Sequence, residues 1–136
     1  MNTRLQNRII LLAEDSDDDA FFFERAFTLA GLAARLVRVA NGGEAVEFLE
    51  QAARNGADLS RTHLVFLDLK MPVLNGFEVL RLIRERGIAV EVVVLSGSNI
   101  ESDMEQARSL GASDYLVKPI TPEEIKKQFT REKVAD

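Results

Sequence analysis

A chain of 136 residues, 46% hydrophobic and 29% charged, can build one core and is too short for a second domain of ordinary size, so 1–136 reads as one domain with its core over about 9–129. The absence of cysteine excludes disulfides and thiolate metal sites, and the single histidine, His63, excludes a histidine cluster, which leaves oxygen ligands as the available metal chemistry. With 22 acidic against 17 basic residues the net charge is −5, and the basic residues are scattered, so direct nucleic-acid binding is not expected.

Met1 to Arg8 is polar, and the apolar run after it is too short for a signal-peptide core or a membrane span; a cytoplasmic protein with no membrane partner is expected. Ile9 to Ala13 is the first predicted strand, followed by Glu14-Asp15. Ser16 or Asp17 can cap the next helix, whose inner face carries Ala20, Phe23, Phe27 and Ala30 and which stops at Gly31. Phe22 lies off that face and is expected to be partly exposed.

Arg35 to Val39 mixes arginine into an apolar pattern, as an edge strand tolerates. Asn41 opens a helix with Ala45, Phe48, Leu49 and Ala52 on one face, and the connection from Asn55 to Thr62 is the loosest segment. Leu64 to Leu67 is the third strand, ending at Asp68; Leu80 and Ile83 share the face of the helix that follows. Val92 to Leu95 is the fourth strand, ending at Ser96, before a helix with Met104 and Ala107 that stops at Gly111. Tyr115 to Val117 is the fifth strand, followed by Lys118-Pro119, and Thr121-Pro122-Glu123-Glu124 opens the last helix with a cap, a first-turn proline and first-turn acids. Four of the five runs read as strands buried on both faces, and the alternation predicts an α/β fold of five βα units around a doubly wound parallel sheet. The sequence ends about one helix after the last strand, so no tethered output domain is expected.

Ligands of open parallel sheets bind outside the carboxyl ends of the strands. There stand Glu14 and Asp15, Asp68, Ser96 and Lys118. Three converging carboxylates persist together in charged form only with a cation to neutralise them, and magnesium, which takes oxygen ligands from one or two carboxylates plus phosphate, is the natural occupant, with Asp15 and Asp68 as its first ligands. An aspartate can also act as a nucleophile toward phosphorus, while Ser96 donates a hydrogen bond and Lys118 an ammonium to phosphoryl oxygens. Taken singly, each residue has an ordinary explanation: acids after strands cap helices, and a lysine after a strand is commonly solvated. The joint pattern, in order and each at a strand end, favours function.

These segments resemble the response-regulator receiver family. The match is carried by Ile10 to Ser16, by Phe66-Leu67-Asp68-Leu69-Lys70-Met71-Pro72 with Asn75-Gly76-Phe77-Glu78, by Val93 to Gly97, and by Gly111 to Pro119. The resemblance implies a flavodoxin-like sheet of order 2-1-3-4-5 and a single-domain response regulator of a two-component phosphorelay, which takes a phosphoryl group from the phosphohistidine of a sensor kinase. It further implies Asp68 as phosphoacceptor, magnesium held by Glu14, Asp15, Asp68 and the main-chain carbonyl of Lys70, and phosphoryl contacts from Ser96 and Lys118. A cis peptide between Lys118 and Pro119 is also implied, as is a switch through Ser96 and Tyr115 to the surface of the fourth helix, fifth strand and fifth helix. That surface would serve self-association or a separate target. The first helix would dock the kinase, with Phe22 as an apolar anchor. The lengthened connection before the third strand is similar to receivers paired with bacterial phytochromes.

Glu14 stands where many family members carry aspartate, and Lys70 brings a long cation to the site, where with Ser98 it is expected to flank the approach of water to the phosphoryl group. A phosphatase of the haloacid-dehalogenase type would need a second acid two positions after Asp68, and Lys70 is there instead. A degenerate, scaffold-only receiver is disfavoured by the complete residue set.

Overall fold

The computed structural model describes residues 8–134. Its strands are β1 (Arg8–Ala13), β2 (Ala34–Val39), β3 (His63–Asp68), β4 (Glu91–Ser96) and β5 (Asp114–Val117), and its helices α1 (Asp17–Ala30), α2 (Gly42–Arg54), α3 (Gly76–Glu85), α4 (Glu101–Ser109) and α5 (Pro122–Val134). All strand pairs are parallel, in the order β2-β1-β3-β4-β5. This is the flavodoxin-like arrangement expected.

Side chains alternate across each central strand, because successive residues point to opposite faces. Ile10, Leu12, Leu64, Phe66, Val93 and Leu95 face α1 and α5, packing on Ala20, Phe23, Ala26, Ile125 and Phe129. Leu11, Ala13, Val65, Leu67, Val92 and Val94 face α2, α3 and α4, packing on Leu49, Leu80, Ile83 and Ala107. The three central strands are thus covered on both sides, which is why they read as continuous apolar runs.

β5 departs from that reading. It is the second edge of the sheet, and although Leu116 is buried, Val117 is exposed and Tyr115 half-buried. The connection before β3 is less loose than expected, since Leu59–Thr62 forms one helical turn with Leu59 buried. On α1, Ala26 is a buried position and Phe27 packs only partly against the core. Arg8, grouped with the polar start of the sequence, is instead the buried first residue of β1, its guanidinium 4.5 Å from the Phe129 ring centre; Met1 to Asn7 lie outside the described residues.

Ser16 caps α1 by accepting from the Asp19 amide at 3.2 Å, and Gly31 closes that helix in the left-handed region at φ 66°. Asn41 caps α2 in the same way, and Asn75 opens α3 with a reciprocal capping box to Glu78. α4 starts without a side-chain cap at Ile100.

Candidate functional site

Because the strands are parallel and in register, their carboxyl ends deliver side chains to one edge. Ala13 pairs with Leu67, Asp68 with Leu95, and Ser96 with Val117, so residues 14–15, 68, 96 and 118 meet there. Glu14, Asp15 and Asp68 each offer an oxygen within 4.8 Å of the others; Glu14 and Asp68 are buried and Asp15 is exposed.

Lys118, joined to Pro119 by a cis peptide, reaches this cluster with its side chain. Its Nζ lies 2.8 Å from Glu14 Oε1, 2.8 Å from Asp19 Oδ2 and 3.1 Å from Asp68 Oδ1. Burial opposes its charge, but hydrogen bonds to Asp19 and Glu14 and the charges of Asp68 and Glu14 outweigh burial and hold the ammonium protonated above the usual lysine range. For Glu14, burial pushes the carboxyl above its usual range, Lys118 partly offsets this, and the Asp68 charge adds to the push. The Asp68 carboxyl is likewise raised by burial and drawn back down by Lys118 and by the Lys70 amide that donates to it.

Two buried carboxyls held above their ordinary range while one ammonium is shared among three acids mark a site short of positive charge. Hard oxygen donors within reach of one another fit a hard divalent cation such as magnesium.

The loop after β3 depends on Gly76. A Cβ at that position would come 2.7 Å from the Asp68 carbonyl oxygen and 2.8 Å from Leu69 Cα, and the Gly76 amide donates to the Leu69 carbonyl at 2.9 Å. The first turn of α3 therefore rests against the backbone of Asp68 itself.

Ser96 is buried, and its Oγ accepts from the Ser98 amide at 3.0 Å; the Ser98 carbonyl accepts from the Tyr115 hydroxyl at 2.9 Å. Ser96 and Tyr115 are thus joined through a single residue. Lys70 points its side chain to the surface, beside a groove shared with Ser96, Phe77 and Asp103.

Two contributors escaped the sequence. Asp19 pairs with Lys118, and Arg38 on β2 donates from Nε to the Glu14 carbonyl at 3.0 Å and from a terminal nitrogen to Asp17 at 2.9 Å, clamping the acid loop. Phe22 is 58% exposed, as expected, and forms an edge-to-face pair with Phe21, 57% exposed. No helix among the described residues is long and apolar enough to cross a membrane.

The family model for the response regulator receiver domain matches residues 10–130. The chain belongs to that family. This receiver is 37% identical over 121 residues to the probable methanogenesis regulatory protein FilR2 of Methanothrix harundinacea, covering 88% of this chain and 77% of the relative. Of other curated relatives that it matches, the receiver spans 28% to 59% of the length. Among solved structures, it is similar to the receiver domain of the sensor histidine kinase PA1611 from Pseudomonas aeruginosa, with magnesium coordinated in its active-site cleft (30% identity, TM-score 0.73, 92% of this chain and 96% of that one). It is also similar to the phosphorylated cyanobacterial phytochrome response regulator RcpA (28% identity, TM-score 0.72, 92% and 90%). As a receiver domain of two-component response regulators, it is a signalling module that works with a histidine kinase and a downstream target rather than a metabolic enzyme.

Proposed function

We propose that this receiver takes a phosphoryl group from a kinase phosphohistidine onto Asp68, in a reaction that needs magnesium, and that it catalyses its own phosphorylation and dephosphorylation. The observation that supports this most directly is the convergence of Asp68, two further acids and Lys118 at the carboxyl edge of the sheet. An Asp68 carboxylate oxygen attacks phosphorus, the bond from phosphorus to the donor nitrogen breaks, and the imidazole leaves with its electron pair. Glu14, Asp15, Asp68 and the Lys70 carbonyl would hold the metal, which neutralises their charge and that of the phosphoryl oxygens. Lys118 and the Ser96 hydroxyl then hydrogen-bond the transferred group.

Ser96 accepts from the Ser98 amide and keeps its own O–H to donate to a phosphoryl oxygen, so a shift of Ser96 toward that oxygen would be passed to Ser98, which carries the Tyr115 hydroxyl. The switch we propose runs along this link to the face made by α4, β5 and α5, which meets a second copy or a separate protein target. In this reading the protein is cytoplasmic and the donor is a sensor histidine kinase, with the likeness to RcpA favouring a phytochrome-type kinase. Neither nucleic acid nor membrane is a direct partner in this reading.

Labelling with acetyl phosphate and magnesium tests the assignment. The parent protein takes up base-labile phosphate, and Asp68→Asn, which lacks the nucleophile, takes up none while keeping its fold. Equal labelling of the two would move the phosphoacceptor elsewhere.

A further inference from the structure

Lys118 carries three N–H donors and meets three carboxylates. Glu14 and Asp68 belong to the acid cluster, whereas Asp19 stands outside it on the first turn of α1, its side chain 41% exposed. An exposed acid gains little stability from an ion pair, and a first-turn acid is already favoured by the helix terminus. The contact therefore matters less to Asp19 than to Lys118.

Lysine presents a compact charge on a flexible stem, so its partners alone decide where the ammonium rests. The ammonium already lies 2.8 Å from Glu14 and 3.1 Å from Asp68; with these as its remaining acceptors it would settle deeper onto the acid cluster, closer over the carboxylate that must attack phosphorus and the one that would help hold the metal. Asp19 supplies the opposing pull. Its backbone is anchored, since its amide donates to the Ser16 hydroxyl that caps the helix. Asp19 and Lys118 also border one cavity with Phe22, Pro119 and Ile120, so whatever enters beside Phe22 meets this pair.

We propose that Asp19 is a positioning residue that draws the Lys118 ammonium toward the mouth of the site, so that its contact with Asp68 is the longest of its three and the phosphoacceptor stays accessible to the incoming phosphoryl group. The inference rests on the phosphoacceptor reading of Asp68 and adds a residue that acts only through Lys118. What matters is an acceptor oxygen at this position more than its charge, and this separates two substitutions: Asp19→Asn keeps an acceptor and removes the charge, while Asp19→Ala removes both.

The test compares the parent, Asp19→Ala and Asp19→Asn for labelling by acetyl phosphate at saturating magnesium. It is paired with the ammonium resonances of lysine-15N protein in the unphosphorylated state. Asp19→Ala is expected to label about tenfold more slowly and Asp19→Asn within about threefold of the parent, as misplacement of a reacting group rather than its loss would give. The melting temperature is expected to fall slightly and alike in both variants, since both lose a favourable first-turn charge, so stability does not account for a difference in labelling between them. The slowly exchanging Lys118 ammonium signal is expected in the parent and in Asp19→Asn, and shifted or lost in Asp19→Ala. Labelling of Asp19→Ala at the parent rate, or an equal loss in both variants, overturns the proposal, as does a Lys118 signal identical in all three proteins. A parent that takes no label refutes the phosphoacceptor reading instead, and the ammonium signals still decide whether Asp19 holds Lys118.

Discussion

Val73, in the loop between Asp68 and α3, has φ 71°, a conformation that costs a β-branched residue free energy, and the Leu74 amide closes a tight turn around it onto the Pro72 carbonyl at 2.8 Å. Its side chain is 78% exposed and recovers little by packing. Val73→Gly should therefore stabilise the protein by about 0.5–1 kcal/mol, the relief of strain less the entropy that glycine adds to the unfolded chain; a denaturant midpoint that falls would show that the strain is not felt. His63 makes the opposite kind of demand. It is buried at the start of β3, its Nδ1 is 2.7 Å from the Thr62 hydroxyl, its Nε2 has no hydrogen-bond partner among the described residues, and burial together with the Arg8 charge holds its pKa below the usual value. The unfolded chain then binds a proton near pH 6.5 that the folded chain refuses. The stability tied to neutral His63 is complete above about pH 6.5 and is lost as pH falls from there toward the folded pKa. Urea titrations between pH 7.5 and 5 should show a steeper loss in the parent than in His63→Gln, and parallel curves would reject the linkage. Glu14, Asp15, Asp68, Ser96 and Lys118 were legible in the sequence because each directly ends a strand run. Asp19 and Arg38 were not, since their side-chain partners lie 99 and 21 residues away in sequence and no local pattern records them.

At the scale of elements, the central strands and the capped helices were readable because burial on two faces and cap chemistry both leave marks in short windows. Which run lies at an edge leaves a weaker mark: β5 is as apolar as its neighbours, and its exposure follows from strand order rather than from its own residues. The turn Leu59–Thr62 escaped for a similar reason, because four residues are too few to show a helical period. α1 carries more apolar surface than its core face needs. Phe21, Phe22 and Leu29 are all exposed, and Phe22 borders the cavity that leads to Lys118. An exposed aromatic beside the site offers a partner an anchor that costs little side-chain entropy to order. Phe22→Ala should slow transfer from the cognate kinase by about tenfold, the cost of one moderate interface anchor, and leave labelling by acetyl phosphate unchanged. Equal losses in both assays would place the effect inside the site rather than at the docking face.

Over the whole molecule, the order β2-β1-β3-β4-β5 brings residues 14, 15, 68 and 118, spread over most of the sequence, to one edge. Folding therefore assembles the acid cluster, and the unfolded chain, with these residues far apart, has no comparable site. The cluster works against the fold that creates it, because burial holds Glu14 and Asp68 above their ordinary pKa range, the Asp68 charge adds to the push on Glu14, and Lys118 offsets this only in part. A cation that binds the folded state alone relieves this and stabilises by mass action, by about 2.7 kcal/mol at a concentration one hundred times its dissociation constant. Magnesium should accordingly raise the melting temperature in a concentration-dependent way, at constant ionic strength so that general screening is excluded. Asp15→Asn removes the exposed member of the cluster: the metal-free variant should melt at or above the parent, because a repelling charge is gone, and its response to magnesium should shift to higher concentration. These two effects have opposite signs in one variant, which a general loss of packing cannot produce. A variant that melts below the parent without metal and responds to magnesium as the parent does would remove Asp15 from the metal site.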